Sequence, residues 1–188
     1  MKSRQNFFDS LQTFVTNEGA PLKLISDNAS EMANSTQVHA YLRRLHIPQG
    51  FTEPYMPHQN RAERAIQHVK AIGCRLMDKA PRNLWCFAIQ FAAELSNIQA
   101  RKGLNWRTPF ERRKGHTPDI SHLQLSFFEE VFYYAPERKF PHPRELPGRI
   151  LGPAFDTGDA LCFYVLTSTN SIIVRSIIRA RDTNEAPP

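Results

Sequence analysis

Cysteine is scarce in this chain: three in 188 residues, Cys74, Cys86 and Cys162, with no C-x-x-C pair and no Cys/His zinc spacing. That argues against a disulfide framework and a structural zinc site, and an odd, sparse set fits a reducing compartment. Long apolar runs are lacking too. The opening MKSRQNFFDSLQTF has no apolar signal core, and no stretch is long enough to span a bilayer. The expectation is a soluble, intracellular chain that is not secreted and has no membrane partner. Internal repeats and low-complexity tracts are absent, which excludes solenoids and disordered linkers as the main architecture.

What is present is a hydrophobic content of 41% and a formal net charge of +6, with a pI near 9.5. The first supports a packed core. The second makes a polyanion partner plausible, because Lys and Arg neutralise phosphates and release counterions. Phe7, Phe8, Leu11, Phe14 and Val15 recur at helical spacing over 4–18, and Gly19-Ala20-Pro21 ends that helix. Leu22 to Ile25 then reads as a strand. Asn34 or Ser35 caps a second helix carrying Val38, Tyr41, Leu42 and Leu45 on one face, followed by a short strand over 47–52 and a proline-bearing loop over 53–58. A third helix starts at Asn60, with Ala62, Ala65, Ile66, Val69, Ile72 and Leu76 as its buried stripe. Residues 83–100 are apolar nearly all round and predict a well-buried helix. Past residue 120 the character changes. Aromatic and β-branched runs separated by turn signals at 156–159 and 169–170 predict a small β module over 121–180, and residues 181–188 predict a disordered tail.

Two carboxylates stand out. Asp27 follows the first strand, and Glu63 opens the third helix with thirty-five residues between them. Acids at a strand end and in a first helical turn can converge on one divalent metal, as two-metal phosphoryl transfer requires. Simpler readings also exist. Asp27-Asn28 is ordinary turn chemistry, and Asn60-x-x-Glu63 is a capping box.

The flanking residues carry more than the spacing. Ser26-Asp27-Asn28, then Pro54, Pro57 and Gln59, then Gln59-Asn60-Arg61-Ala62-Glu63-Arg64 resembles the integrase catalytic core of Ty1/copia-type retrotransposons. Trp85, Ala88, Ala92 and Asn97 match that family's next helix. Thr108-Pro109-Phe110-Glu111 and Gly115-His116-Thr117-Pro118 look like its T-P-x-E and G-x-x-P segments. Residues 148–179 are similar to its small SH3-like segment, so the resemblance covers roughly residues 4–180. Arg61 departs from the pattern, where family members often carry a glycine, and this bears on loop mobility rather than on metal ligation.

The resemblance implies an α/β fold: a partial ribonuclease H-like core over 1–120, followed by an SH3-like β-barrel over 121–180. It implies Asp27 and Glu63 as catalytic, metal-binding acids for Mg²⁺ or Mn²⁺. It also implies DNA as partner, self-association, and a nuclear or cytoplasmic-particle location. Gln67 and Lys70 fall on the Glu63 face at i+4 and i+7 and would position DNA; a solvated helix face is the plain alternative. Arg112, Arg113 and Lys114 would hold phosphates, or are solvated surface. His58 is a weak metal candidate. Phe127, Phe128, Phe132, Tyr133 and Tyr134 read as core or as a base-stacking platform.

The family's first catalytic Asp belongs on an upstream strand. Here the only acid before Glu18 is Asp9, on a helix. The expectation is therefore a truncated polyprotein fragment of an integrase-type polynucleotidyl transferase, inactive alone and with an exposed sheet edge. The alternatives are a noncatalytic nucleic-acid-binding fragment or a protein-interaction fragment.

Overall fold

The computed structural model describes residues 4–26, 35–53, 61–158 and 161–181. It divides into two compact units, Met1–Ile66 and Gln67–Pro188. No helix among the described residues is long and apolar enough to cross a membrane.

In the first unit, α1 (Arg4–Glu18) ends where Gly19 adopts φ 82°, its N–H donating to the Val15 carbonyl at 2.9 Å. Glycine takes that left-handed conformation without a Cβ clash. The strand β1 (Leu24–Ser26) runs parallel to β2 (Gln49–Phe51), with Leu24 opposite Gln49 and Ser26 opposite Phe51. The strand expected from Leu22 starts two residues later. Pairing sets its start: the Leu24 N–H donates to the Pro48 carbonyl at 3.0 Å, whereas Leu22 is 96% exposed.

Parallel strands need a crossover, and α2 (Thr36–Arg44) lies on it. Ser35 is its cap, the hydroxyl accepting from the Val38 N–H at 3.4 Å. Val38 and Leu42, with Leu11 and Ile47, form the buried cluster. Phe7, Phe8, Val15, Leu24, Tyr41 and Leu45 pack against it, Phe8 edge-on to Tyr41. The helical spacing read in the sequence thus maps onto one core, apart from Phe14, which is exposed.

The helix α3 (Arg61–Leu76) differs from expectation. Val69, Ile72 and Leu76 are half-buried, but Ala62, Ala65 and Ile66 are exposed, Ile66 by 54%. Its packed neighbours gather at the C-terminal end. There Gly73 lies so close to the next helix that a Cβ would sit 2.7 Å from Ile89 Cδ1, and Leu76 joins the Leu84 cluster.

That next helix, α4 (Trp85–Ile98), buries Ala88, Phe91, Ala92 and Ser96. The expectation of burial all round is not met, since Trp85 is 62% exposed and Cys86 is exposed. A helix lying on one face of a sheet covers a single stripe, however apolar the rest of its surface.

The short helix α5 (Pro109–Lys114) is stopped and started by local chemistry. Thr108 Oγ1 accepts from the Glu111 N–H at 3.0 Å, and the Glu111 carboxylate accepts from the Thr108 N–H at 2.9 Å. This is a complete capping box. Gly115 closes the helix at φ 80°.

The second unit ends in five antiparallel strands: β3 (Glu130–Tyr134), β4 (Glu145–Pro153), β5 (Phe163–Thr167), β6 (Ile172–Arg175) and β7 (Ile178–Ala180). Their order is β6-β5-β4-β3-β7. Consecutive strands β6 and β7 therefore occupy opposite edges. In a flat sheet those edges would stand about 19 Å apart, four strand spacings. Arg175 and Ile178 can be separated by at most about 11 Å of chain. The sheet must curl. The Tyr134 N–H donates to the Ile177 carbonyl at 3.1 Å, and Arg175 Nε donates to the Tyr134 carbonyl at 3.0 Å, tying the bend to β3.

Curling gives the sheet two buried faces. Val131, Tyr133, Ile150, Phe163 and Val165 fill the inner one. Leu151 and Leu166 face outward onto Leu84, Ala88, Phe91 and Phe127. Neighbouring residues Ile150 and Leu151, and Val165 and Leu166, serve opposite faces, as strand alternation requires. Phe127, Phe132 and Tyr133 are buried and Phe128 and Tyr134 half-buried, so these aromatics are core rather than a stacking platform. The expected turn at 169–170 is present, with Asn170 at φ 63°.

Gly148 sits at the tightest point. A Cβ there would lie 2.7 Å from Val165 Cγ1 and 2.9 Å from the Leu166 carbonyl oxygen. Gly148→Ala is expected to lower the unfolding free energy by about 1–3 kcal/mol, the usual range for overpacking a core. Urea denaturation of the two proteins checks this, and an unchanged midpoint contradicts the close approach.

Candidate functional site

The strand β1 stops at Ser26, so Asp27 is the next residue along the chain, and Glu63 lies in the first turn of α3. Strand end and first helical turn are the two positions the sequence assigned to these acids. Asp27, Asn28, Pro54, Pro57, His58, Gln59 and Asn60 lie outside the described residues, so the separation of the two carboxylates and the Asn60 capping box are not defined. Ser26 itself is buried, and its Oγ has no hydrogen-bond partner among the described residues.

Glu63, Gln67 and Lys70 are all exposed on α3, at i, i+4 and i+7. One helix thus offers a carboxylate, an amide and an ammonium in a row on its solvent face. Glu63 is also near the helix N-terminus, where the dipole favours a negative side chain without any further role.

A metal site is a stricter test. No group of three or more His, Cys, Asp or Glu that could hold an ion occurs among the described residues. Of the two acids read from the sequence only Glu63 is described, and one exposed carboxylate does not make a Mg²⁺ site. The described residues by themselves therefore do not make up a metal site, and no chemical step follows from one. Asp9 is exposed on α1.

Arg112, Arg113 and Lys114 are exposed in the last turn of α5. Cations at a helix C-terminus are favoured by its partial negative charge. That gives the triplet a structural reason independent of phosphate. On the sheet, arginines pair with carboxylates. Arg149 and Arg181 both pair with Glu130, Arg179 pairs with Glu145, and Arg175 pairs with Glu137.

A second group of chemically useful side chains, not singled out in the sequence, surrounds a cavity of about 410 Å³ in the second unit. Glu94 enters from α4, Asp119 and His122 from the segment after α5, and Cys162 from just before β5. Burial pushes the Glu94 carboxyl above its usual range, partly offset by the neighbouring His122 imidazole. Asp119 is held below its usual range first by the Ser121 side chain and then by the Ser121 N–H, which donates to Oδ1 at 2.8 Å. His122 Nε2 is shielded from solvent and has no hydrogen-bond partner among the described residues. A lone acid in the apolar run NLWCFAIQFAAELSNIQA was the available signal for Glu94. His122 and Asp119 gave none, because only the fold brings them to that helix.

The raised Glu94 value has a stability consequence. Between the ordinary glutamate value of 4.5 and its higher folded value, the native state binds the extra proton, so stability falls as pH rises through that window and stays lower above it. Glu94→Gln removes the penalty. The variant is expected to melt higher than the parent at pH 7, with the difference shrinking below about pH 4, where both states protonate the glutamate. Thermal melts across pH read this directly, and a pH-independent difference contradicts it.

No protein-family model matches the sequence, and no curated protein matches it either. Solved structures do. The catalytic core domain of HTLV-2 integrase, in complex with magnesium and in trimeric form, has a TM-score of 0.49 at 15% identity over 60% of this chain and 71% of that one. A chain of the simian T-cell lymphotropic virus intasome, in complex with the PP2A regulatory subunit B56 gamma, has a TM-score of 0.50 at 15% identity. That match covers 98% of this chain and 66% of the other. At such identity a likeness speaks for fold alone, and the fold of this chain is integrase-like.

Proposed function

We propose that this chain is part of a Ty1/copia-type retrotransposon integrase, comprising part of a ribonuclease H-like core and an SH3-like module over 121–180. The observation that carries the reading is the coincidence of motif and element. The S-D-N acid directly follows β1, and the acid of Q-N-R-A-E-R lies in the first turn of α3, in a chain of integrase-like fold. The curled five-stranded sheet agrees with an SH3-like module, because its two edge strands are joined by only Ser176 and Ile177.

In this reading Asp27 and Glu63 are two of the acids that hold Mg²⁺ or Mn²⁺, the ions the resemblance implies. A third carboxylate comes from another segment or another chain, so the chain alone performs no strand transfer. Gln67 and Lys70 contact DNA beside Glu63, and Arg112, Arg113 and Lys114 hold its phosphates. Lys and Arg contacts of this kind steer and anchor a duplex without reading its sequence. Self-association is part of the same reading.

A second reading, a noncatalytic DNA-binding fragment, is favoured by the row of exposed polar groups on α3 taken together with the net charge of +6. The two readings share their first test, DNA affinity, and separate at Asp27.

Fluorescence anisotropy with a labelled duplex oligonucleotide provides that test. The logarithm of affinity is expected to fall linearly with the logarithm of salt concentration, and Lys70→Ala to reduce the slope by about 1. Asp27→Ala leaves affinity in place in the binding reading. In the integrase reading it removes the affinity gained on adding Mn²⁺. Salt-independent binding, or none at low salt, sinks both.

A further inference from the structure

The loop over 101–107, between α4 and α5, holds a large aromatic side chain out toward solvent. Trp106 is 71% exposed and lies at φ 62°, directly after Asn105 at φ 54°. Asparagine visits this left-handed region readily, but a bulky residue there is an outlier. Such strain persists only where the surroundings impose it, and here they do. The Arg101 N–H donates to the Arg107 carbonyl at 3.1 Å, and the Trp106 N–H donates to the Arg101 carbonyl at 3.1 Å, closing the loop on itself. The Arg101 guanidinium anchors it to α4, Nη2 donating to the Ser96 carbonyl at 3.1 Å and to Ser96 Oγ at 2.6 Å. Ser96 is buried. The indole is thus presented on a fixed backbone.

Charge narrows what can meet it. Residues 101–114 carry six Lys or Arg and a single acid, Glu111. The Glu111 carboxylate already accepts from the Thr108 N–H. Lys102 and Arg107 are exposed in the same loop, and Arg107, as the next residue, has its Cα about 3.8 Å from that of Trp106. Cations around a flat π face complement a polyanion that also offers flat rings. Nucleic acid combines the two, phosphates for Lys102 and Arg107 and a base for Trp106. In a duplex each base is covered by its stacked neighbours, so the indole suits an unpaired base. A membrane surface is disfavoured: interfacial anchoring draws on a broad apolar face, and the neighbours of Trp106 are Asn105 and Arg107.

We propose that the 101–107 loop is a single-strand-binding element, in which Trp106 stacks on an unpaired base while Lys102 and Arg107 hold the flanking phosphates. This rests on the nucleic-acid reading and adds the preferred form, a strand with free bases. It uses neither Asp27 and Glu63 nor Lys70.

The chain has two tryptophans, Trp85 and Trp106. Trp85→Phe in the full chain, at a position 62% exposed, leaves Trp106 as the only indole reporter. Oligothymidine is expected to quench its emission saturably. A strand of equal length built of abasic units keeps the phosphates and is expected to leave the emission unchanged. Trp106→Gly, made in the parent chain, suits the left-handed backbone, so it is expected to melt no lower than the parent. It is expected to bind oligothymidine about fivefold to 150-fold more weakly, the range for one lost base–aromatic stack, and to keep its affinity for duplex DNA, read by anisotropy. Quenching by oligothymidine or by oligouridine supports the proposal, and the tighter of the two names the strand. Binding of oligothymidine without quenching, equal quenching by the abasic strand, or undiminished binding by Trp106→Gly overturns it and leaves the nucleic-acid reading standing. So does an equal loss for single strand and duplex, the mark of a merely structural role. Absence of binding to any oligonucleotide sinks both. A blue shift of Trp106 emission on phosphatidylserine vesicles, with no quenching by oligonucleotides, assigns the loop to a membrane surface and also overturns the proposal.

Discussion

The second unit rests on one geometric constraint, the two-residue link between β6 and β7. Strands that close in sequence cannot sit at opposite edges of a flat sheet, so Ser176 and Ile177 force the sheet to curl. Curling creates an enclosed inner face, filled by Val131, Ile150 and Val165, and a convex outer face on which α4 lies. It also explains why Gly148 has no room for a side chain: Val165 and Tyr133 converge on it from the inner face. The cavity beside Glu94 follows from the same geometry, since it forms where the end of α4 meets the β4–β5 turn.

Charge is distributed by the same strands. Arginines from β4 and β7, with Arg175 at the end of β6, lie against Glu130, Glu145 and Glu137 from neighbouring segments. Arg149 and Arg179 also lie over the Phe128 and Phe132 rings. Exposed pairs of this kind contribute little stability each, commonly 0 to about 1 kcal/mol, but they hold register across strands. Their consequence for function is larger. A net charge of +6 suggests a uniformly basic surface, yet the cations of the sheet are matched by acids, and Lys70 and Arg112 to Lys114 lie on helices instead. The Glu94 cavity is a local acidic exception in a basic chain.

Short-range rules made much of this legible. The bounds of α1, the Ser35 cap and the Asn170 turn follow from residues within four positions of one another, and the structure has each of them. The positions of Asp27 after a strand and Glu63 in a first helical turn were readable for the same reason. Burial was less legible. Ala62, Ala65 and Ile66 carry helical spacing but are exposed, because periodicity marks a face and cannot say whether anything covers it. Trp85 likewise belongs to an apolar helix of which the sheet covers one stripe.

Local interactions, then, let the sequence by itself determine the helices, their caps, the turns and the two motif acids. Those interactions close within a turn or two of chain and need no partner from far away. Only the tertiary structure decided the rest. It put β6 and β7 at opposite edges, turned neighbouring residues of β4 and β5 toward different cores, and brought His122 to Glu94. Each of these is a contact between residues distant in sequence, fixed by the geometry of a curled sheet that no local pattern encodes.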